Sequence, residues 1–121
     1  MSTTILGAHT IHEHIQDGRF VKALSVINET NPSLEACKEA CIWVLDALKR
    51  ARKSEERDRG FLILVPRLIA MHDAKHAIEA IEVIEKDLDF STHLVAWREQ
   101  LEAFAEQQQH AIRECQQPAE G

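Results

Sequence analysis

Cys37 and Cys41 stand four residues apart, and so do His72 and His76. On a helix that spacing puts both members of a pair on one face. Two such pairs facing each other would make a tetrahedral Cys2His2 set for zinc. The same cysteines fall on an apolar stripe with Val44 and Leu48, where a small hydrophobe is wanted. No C-x2-C knuckle accompanies them, so core packing is the first expectation and a metal site the alternative. His9, His12 and His14 form another histidine cluster, read as a surface feature of the first helix. Lys49, Arg50, Arg52 and Lys53, followed by Arg57 and Arg59, put six of the 14 basic residues into eleven positions. Such a patch could meet an acidic partner or RNA. It also sits where cations favour a helix C-terminus. There is no Gly-rich phosphate loop, no G-x-S-x-G elbow, no H-E-x-x-H pair and no paired E-x-x-H motif. Neither a catalytic set nor a cofactor is therefore expected.

Positioning these residues is the task of 121 residues, 13.8 kDa, one domain's worth of chain. Hydrophobic residues make up 45% and charged residues 28%, an ordinary globular balance. Four Gly, three Pro, no Tyr and 5% aromatic residues leave little material for a sandwich or barrel, so an all-α fold is expected. The net charge of −6 falls wholly in residues 61–121, which carry five basic and eleven acidic residues. An acidic chain is a poor general binder of nucleic acid. Met1 to Leu6 lack the pattern of a secretory signal, and the longest apolar run, broken at Pro66-Arg67, is too short for a membrane span. Three cysteines fit a reducing, cytoplasmic setting.

Hydrophobic periodicity predicts five or six antiparallel helices in one domain, residues 1–115, followed by a flexible tail, 116–121. The first helix spans about Thr4 to Asp17 and ends at Gly18. The second spans Arg19 to Glu29. A third starts from an Asn31 cap with Pro32 in its first turn and reaches Lys53. Its stripe is Leu34, Cys37, Cys41, Val44 or Leu45, and Leu48. A second face of Ala36, Ala40, Trp43 and Ala47 is also apolar. Glu56 to His72 reads as a buried helix kinked at Pro66 or as two pieces, with a short strand at Phe61 to Val65 as a minor option. Lys75 to Asp87 is a fifth helix. The last starts at Ser91 or Thr92 and runs to Cys115. Its seam of Leu94, Trp97, Leu101, Phe104, Ala111 and Cys115, interrupted at Gln108, suits a partner helix or a second copy.

An internal repeat aligns Lys22-Ala23-Leu24-Ser25-Val26-Ile27 with Glu79-Ala80-Ile81-Glu82-Val83-Ile84, 57 residues on. Each copy reads as the second helix of a helical hairpin. Gly18-Arg19-Phe20-Val21-Lys22-Ala23-Leu24, closed by Pro32, resembles the start of the second helix of a tetratricopeptide repeat. The resemblance implies a protein- or peptide-binding scaffold, either an open array of hairpins or a closed bundle. Two further resemblances supply alternatives. Arg67 and His72 have the R-x4-H spacing of HEPN-type ribonucleases, which implies RNA cleavage by that pair across a dimer. His72-Asp73-Ala74-Lys75 resembles a histidine phosphotransfer bundle, in which a Lys follows the phosphorylated His by three.

The first expectation is a small cytoplasmic protein that binds another protein or its own copy through Trp43, Leu94, Trp97, Leu101 and Phe104. The alternatives are a nuclease using Arg67 and His72, and a metal or phosphotransfer bundle using Cys37, Cys41, His72 and His76.

Overall fold

A computed structural model describes the backbone of residues 5–116 and the side chains of residues 5–107. Six helices follow one another: α1 (Ala8–Gln16), α2 (Phe20–Thr30), α3 (Leu34–Arg50), α4 (Glu55–Ala70), α5 (Ala74–Ile84) and α6 (Ser91–Gln116). A short 3-10 turn, Leu88–Phe90, introduces α6. The described residues hold no strand, so the all-α expectation holds and the strand option at Phe61 to Val65 does not. Those residues lie inside α4, which continues through Pro66 as one helix. The Pro66 ring is exposed, and only the N–H that would have reached Leu62 is lost. The tail expected from residue 116 onward lies outside the described residues, apart from the backbone of Gln116.

Cap chemistry sets the helix starts. The start of α3 is capped by Ser33, whose Oγ accepts from the Ala36 N–H at 3.4 Å, and not by Asn31. Asn31 is occupied elsewhere. Its Oδ1 accepts from Leu6 N at 2.8 Å, while Nδ2 donates to the Leu6 carbonyl at 3.0 Å and to Thr30 Oγ1 at 3.0 Å. This buried amide pins the N-terminal segment to the end of α2. Gly7, expected inside the first helix, instead precedes it at φ +71° and delays its start. Ser54 caps α4 by accepting from Arg57 N at 3.2 Å. Glu56, in the first turn of α4, accepts from Val21 N at 3.2 Å and so caps α2 from a distance of 35 residues. Asn31→Leu should cost about 1–2 kcal/mol, because it removes a satisfied buried network. Amide exchange at Leu6 should accelerate in parallel, and unchanged exchange there would show that Asn31 is not the tether.

Packing follows chain order. Each substantial helix–helix contact joins elements one or two places apart, and α4 lies centrally against α2, α3, α5 and α6. The 57-residue repeat appears in the burial pattern. Phe20, Ala23, Leu24 and Ile27 are the buried set of α2, and Ala77, Ala80, Ile81 and Ile84 are that of α5, each displaced by 57. The starts of α3 and α6, Leu34 and Ser91, are displaced by the same number. The turns before α2 and α5 also match. Gly18 N donates to Ile15 O at 3.1 Å and Arg19 N to His14 O at 2.8 Å; His72 N donates to Ile69 O at 3.0 Å and Asp73 N to Leu68 O at 2.8 Å. Both turns need a left-handed residue. Gly18 takes it at φ +76° and His72, a non-glycine, at φ +59°.

Candidate functional site

The expected seam on the last helix turns inward. Leu94 and Trp97 are buried, and the Trp97 ring lies 6.5 Å from that of Phe90. Leu101 and Phe104 are half-buried, and the Phe104 ring meets that of His72 at 4.5 Å. Leu94 and Trp97 are therefore not free to serve as a docking surface, while Leu101 and Phe104 keep part of their surface in solvent; the period of three and four packs α6 onto its own fold. Gln108, Ala111 and Cys115 lie outside the described side chains. Trp43 is half-buried, and the His12 ring stacks on it at 4.2 Å.

The basic patch is largely neutralised. Lys49 pairs with Glu79 at 3.7 Å and Arg59 with Glu55 at 2.6 Å. Arg50 Nε donates to the Asp46 carbonyl at 3.2 Å, and Arg52 is exposed. Lys53 is drawn among three carboxylates. It bonds Asp87, and it reaches Asp58 at 3.2 Å and Asp89 at 3.3 Å. These aspartates form the one group of three ligand-type side chains clustered within 4.8 Å among the described residues. The Lys53 ammonium already supplies the cation there. The hydrogen bond from Lys53 holds the Asp87 carboxyl below the usual carboxylate range, and that to Asp87 pushes Lys53 above the usual lysine value. A depressed carboxylate stabilises the fold above its unfolded pKa, and the gain disappears as pH falls through the folded value. Lys53→Met should therefore lower the Tm at pH 7, with the gap to the parent closing below about pH 4. A gap that stayed constant from pH 7 to pH 3 would contradict the pairing.

The zinc alternative is corrected as well: Cys37, Cys41, His72 and His76 do not converge. Cys41 is buried against α4, and burial pushes its thiol up to about 11. Such a thiol stays protonated at neutral pH and is a poor ligand or nucleophile. Cys37 Sγ lies 3.1 Å from the Asn31 carbonyl. His76 Nδ1 sits 2.8 and 2.9 Å from the two oxygens of the buried Asp73, whose Oδ1 also accepts from His76 N as the cap of α5. Arg67 and His72 serve different neighbours. Arg67 Nη1 donates to the Leu24 carbonyl of α2 at 2.7 Å, whereas the exposed His72 packs on Phe104 of α6. In the N-terminal histidine cluster, His9 pairs with Glu13 at 3.4 Å and His14 Nδ1 accepts from Arg19 at 3.0 Å. No described helix is long and apolar enough to cross a membrane.

One cleft is built by α2, α3 and α4. It holds about 210 Å³ and is walled mainly by Ile27, Leu34, Cys37, Ala70 and Met71, with Arg67 and Cys41 also lining it. Leu34, expected on the buried stripe, is 59% exposed at this cleft. It lies in the first turn of α3, ahead of the buried face that begins at Ala36. Arg67 brings the cleft's one basic side chain, and no carboxylate lies within 4.0 Å of it among the described residues. Sequence periodicity missed the site because its walls come from three helices. The one local signal was a leucine ahead of the stripe it was assigned to.

Comparison with known proteins gives no relative: no family model matches the chain, nor does any curated protein or solved structure.

Proposed function

We propose that this chain is a protein-interaction module made of packed helical hairpins, and that the α2–α3–α4 cleft is where it holds its partner. The observation that carries the reading is the cleft itself, an apolar recess with an exposed leucine and a guanidinium that has no acidic partner within 4.0 Å among the described residues. A single exposed leucine is ordinary, but here it continues the apolar wall of a recess, and contiguous apolar surface of that kind marks contact sites. Packing between chain neighbours supports the same reading, since helical-hairpin arrays present binding surfaces of this kind. The tetratricopeptide-like motif from Gly18 to Leu24 forms the turn and first residues of α2, whose Ile27 lines the cleft.

The test compares the parent with Leu34→Asp. Leu34 is exposed, so the variant should fold with an unchanged Tm. Tagged parent protein should retain a defined partner in extracts of its native cells, and Leu34→Asp should lose that partner selectively. Equal retention by both would place binding away from the cleft.

A further inference from the structure

The cleft's own chemistry narrows the occupant. At about 210 Å³ it is below the roughly 300–1,000 Å³ of sites that enclose whole cofactors. It has room for one side chain and a small polar group. Apart from Asn28 and Arg67, its walls are aliphatic and sulfur-bearing, which suits a branched aliphatic group. Arg67 is half-buried, and one of its N–H groups is spent on the Leu24 carbonyl, which ties the guanidinium to α2. The remaining N–H groups form a planar fork suited to a carboxylate, which can accept two parallel hydrogen bonds. Asp73 is engaged by His76. With Arg67 as the one cation and Asn28 as the one neutral polar side chain of the lining, the recess matches a monovalent carboxylate better than a dianionic phosphate, which would need a second cation.

Resting on the interaction-module reading, we infer that the α2–α3–α4 cleft recognises the C-terminal residue of a partner protein, its aliphatic side chain against Leu34 and Met71 and its terminal carboxylate on Arg67. A C-terminal residue carries both groups on one Cα, so both fit a recess of this size. An internal Asp or Glu offers a carboxylate with no apolar branch on the same residue.

The test titrates the full 15N-labelled chain with acetyl-Ala-Ala-Leu as the free acid, with its C-terminal amide, and with 4-methylpentanoate. Two readouts are followed: the Arg67 Nε–Hε resonance, and alkylation of Cys37 in a Cys115→Ser background. Cys37 lines the cleft and is half-buried, whereas Cys41 is buried. The free acid should shift the Arg67 resonance saturably and slow Cys37 alkylation severalfold. The amide should bind about tenfold more weakly, the usual scale for losing a charge-assisted hydrogen bond. Arg67→Gln should erase the preference for acid over amide, and Arg67→Lys should restore part of it. Equal binding of acid and amide, or no saturable shift with either, would overturn the inference. So would 4-methylpentanoate binding as tightly as the peptide acid, since the cleft would then be a site for a small free carboxylate. Loss of the native partner from Leu34→Asp with no acid preference would sink this inference alone. An acid preference in a chain that holds no partner at the cleft would sink the module reading instead.

Discussion

Phe61→Ala should cost about 3–5 kcal/mol, enough to leave much of a domain this size unfolded at physiological temperature. Phe61 is fully buried in α4, the helix against which α2, α3, α5 and α6 pack. Its ring meets that of Phe90 edge to face, centroids 6.3 Å apart, so it also fixes the turn that launches α6. The Arg57 guanidinium lies over the ring, 4.9 Å from its centroid, and its Nε donates to the Leu48 carbonyl of α3. Truncation thus removes a large apolar volume and the seat of a cation at once. Urea unfolding measures the loss. Phe61→Leu, which keeps most of the volume, should cost clearly less. A cost below about 1 kcal/mol for Phe61→Ala would mean that the ring is not in the core.

Gly60→Val should be nearly as damaging, at about 3 kcal/mol, and for the opposite reason. Gly60 is buried mid-helix, where α4 crosses α2 and α3. A Cβ there would stand 2.9 Å from Leu48 Cδ2 and 3.2 Å from Phe20 Cβ. Leu48 is itself fully buried within the core cluster, so its methyl groups can shift only against other core side chains. At an exposed helical site, replacing glycine by alanine gains about 1 kcal/mol. Here Gly60→Ala should instead be neutral or destabilising, because crowding offsets that gain, and the branched valine should be far worse. Thermal melts of the two variants decide the matter. A stabilised Gly60→Ala protein would show that the three helices do not approach so closely.

Much of the fold could be read from the residues. Ala23, Leu24 and Ile27 at helical spacing, the Ser54 cap with its acidic first turn, and the Gly18 turn all act within a few residues, so local sequence carries them. The misreadings came from long-range competition. Asn31-Pro32 had the form of a helix start, but Asn31 is bonded to Leu6, 25 residues away, and Ser33 takes the cap. Pro66 left one kinked helix or two pieces open, and burial of Phe61, Leu64, Val65 and Leu68 decides for one helix through it. The seam on α6 had the right period, yet period alone cannot tell a stripe that closes its own fold from one that awaits a partner. Lys53 looked like part of a basic surface because Asp87 and Asp89, which neutralise it, lie more than thirty residues away. The cleft was the least legible feature, since its lining comes from three helices and its cation stands out only because no carboxylate among the described residues lies within 4.0 Å of it.

The central claim is that a partner sits in the α2–α3–α4 cleft, and site-specific photocrosslinking in the native cells tests it most directly. A benzophenone side chain is placed at Leu34 on the cleft, and in a separate variant at Val95, an exposed apolar position on α6. The account predicts one discrete crosslinked species from position 34, absent from position 95 and lost when Arg67→Gln is added. A species from position 95 alone, or identical species from both positions, would contradict it.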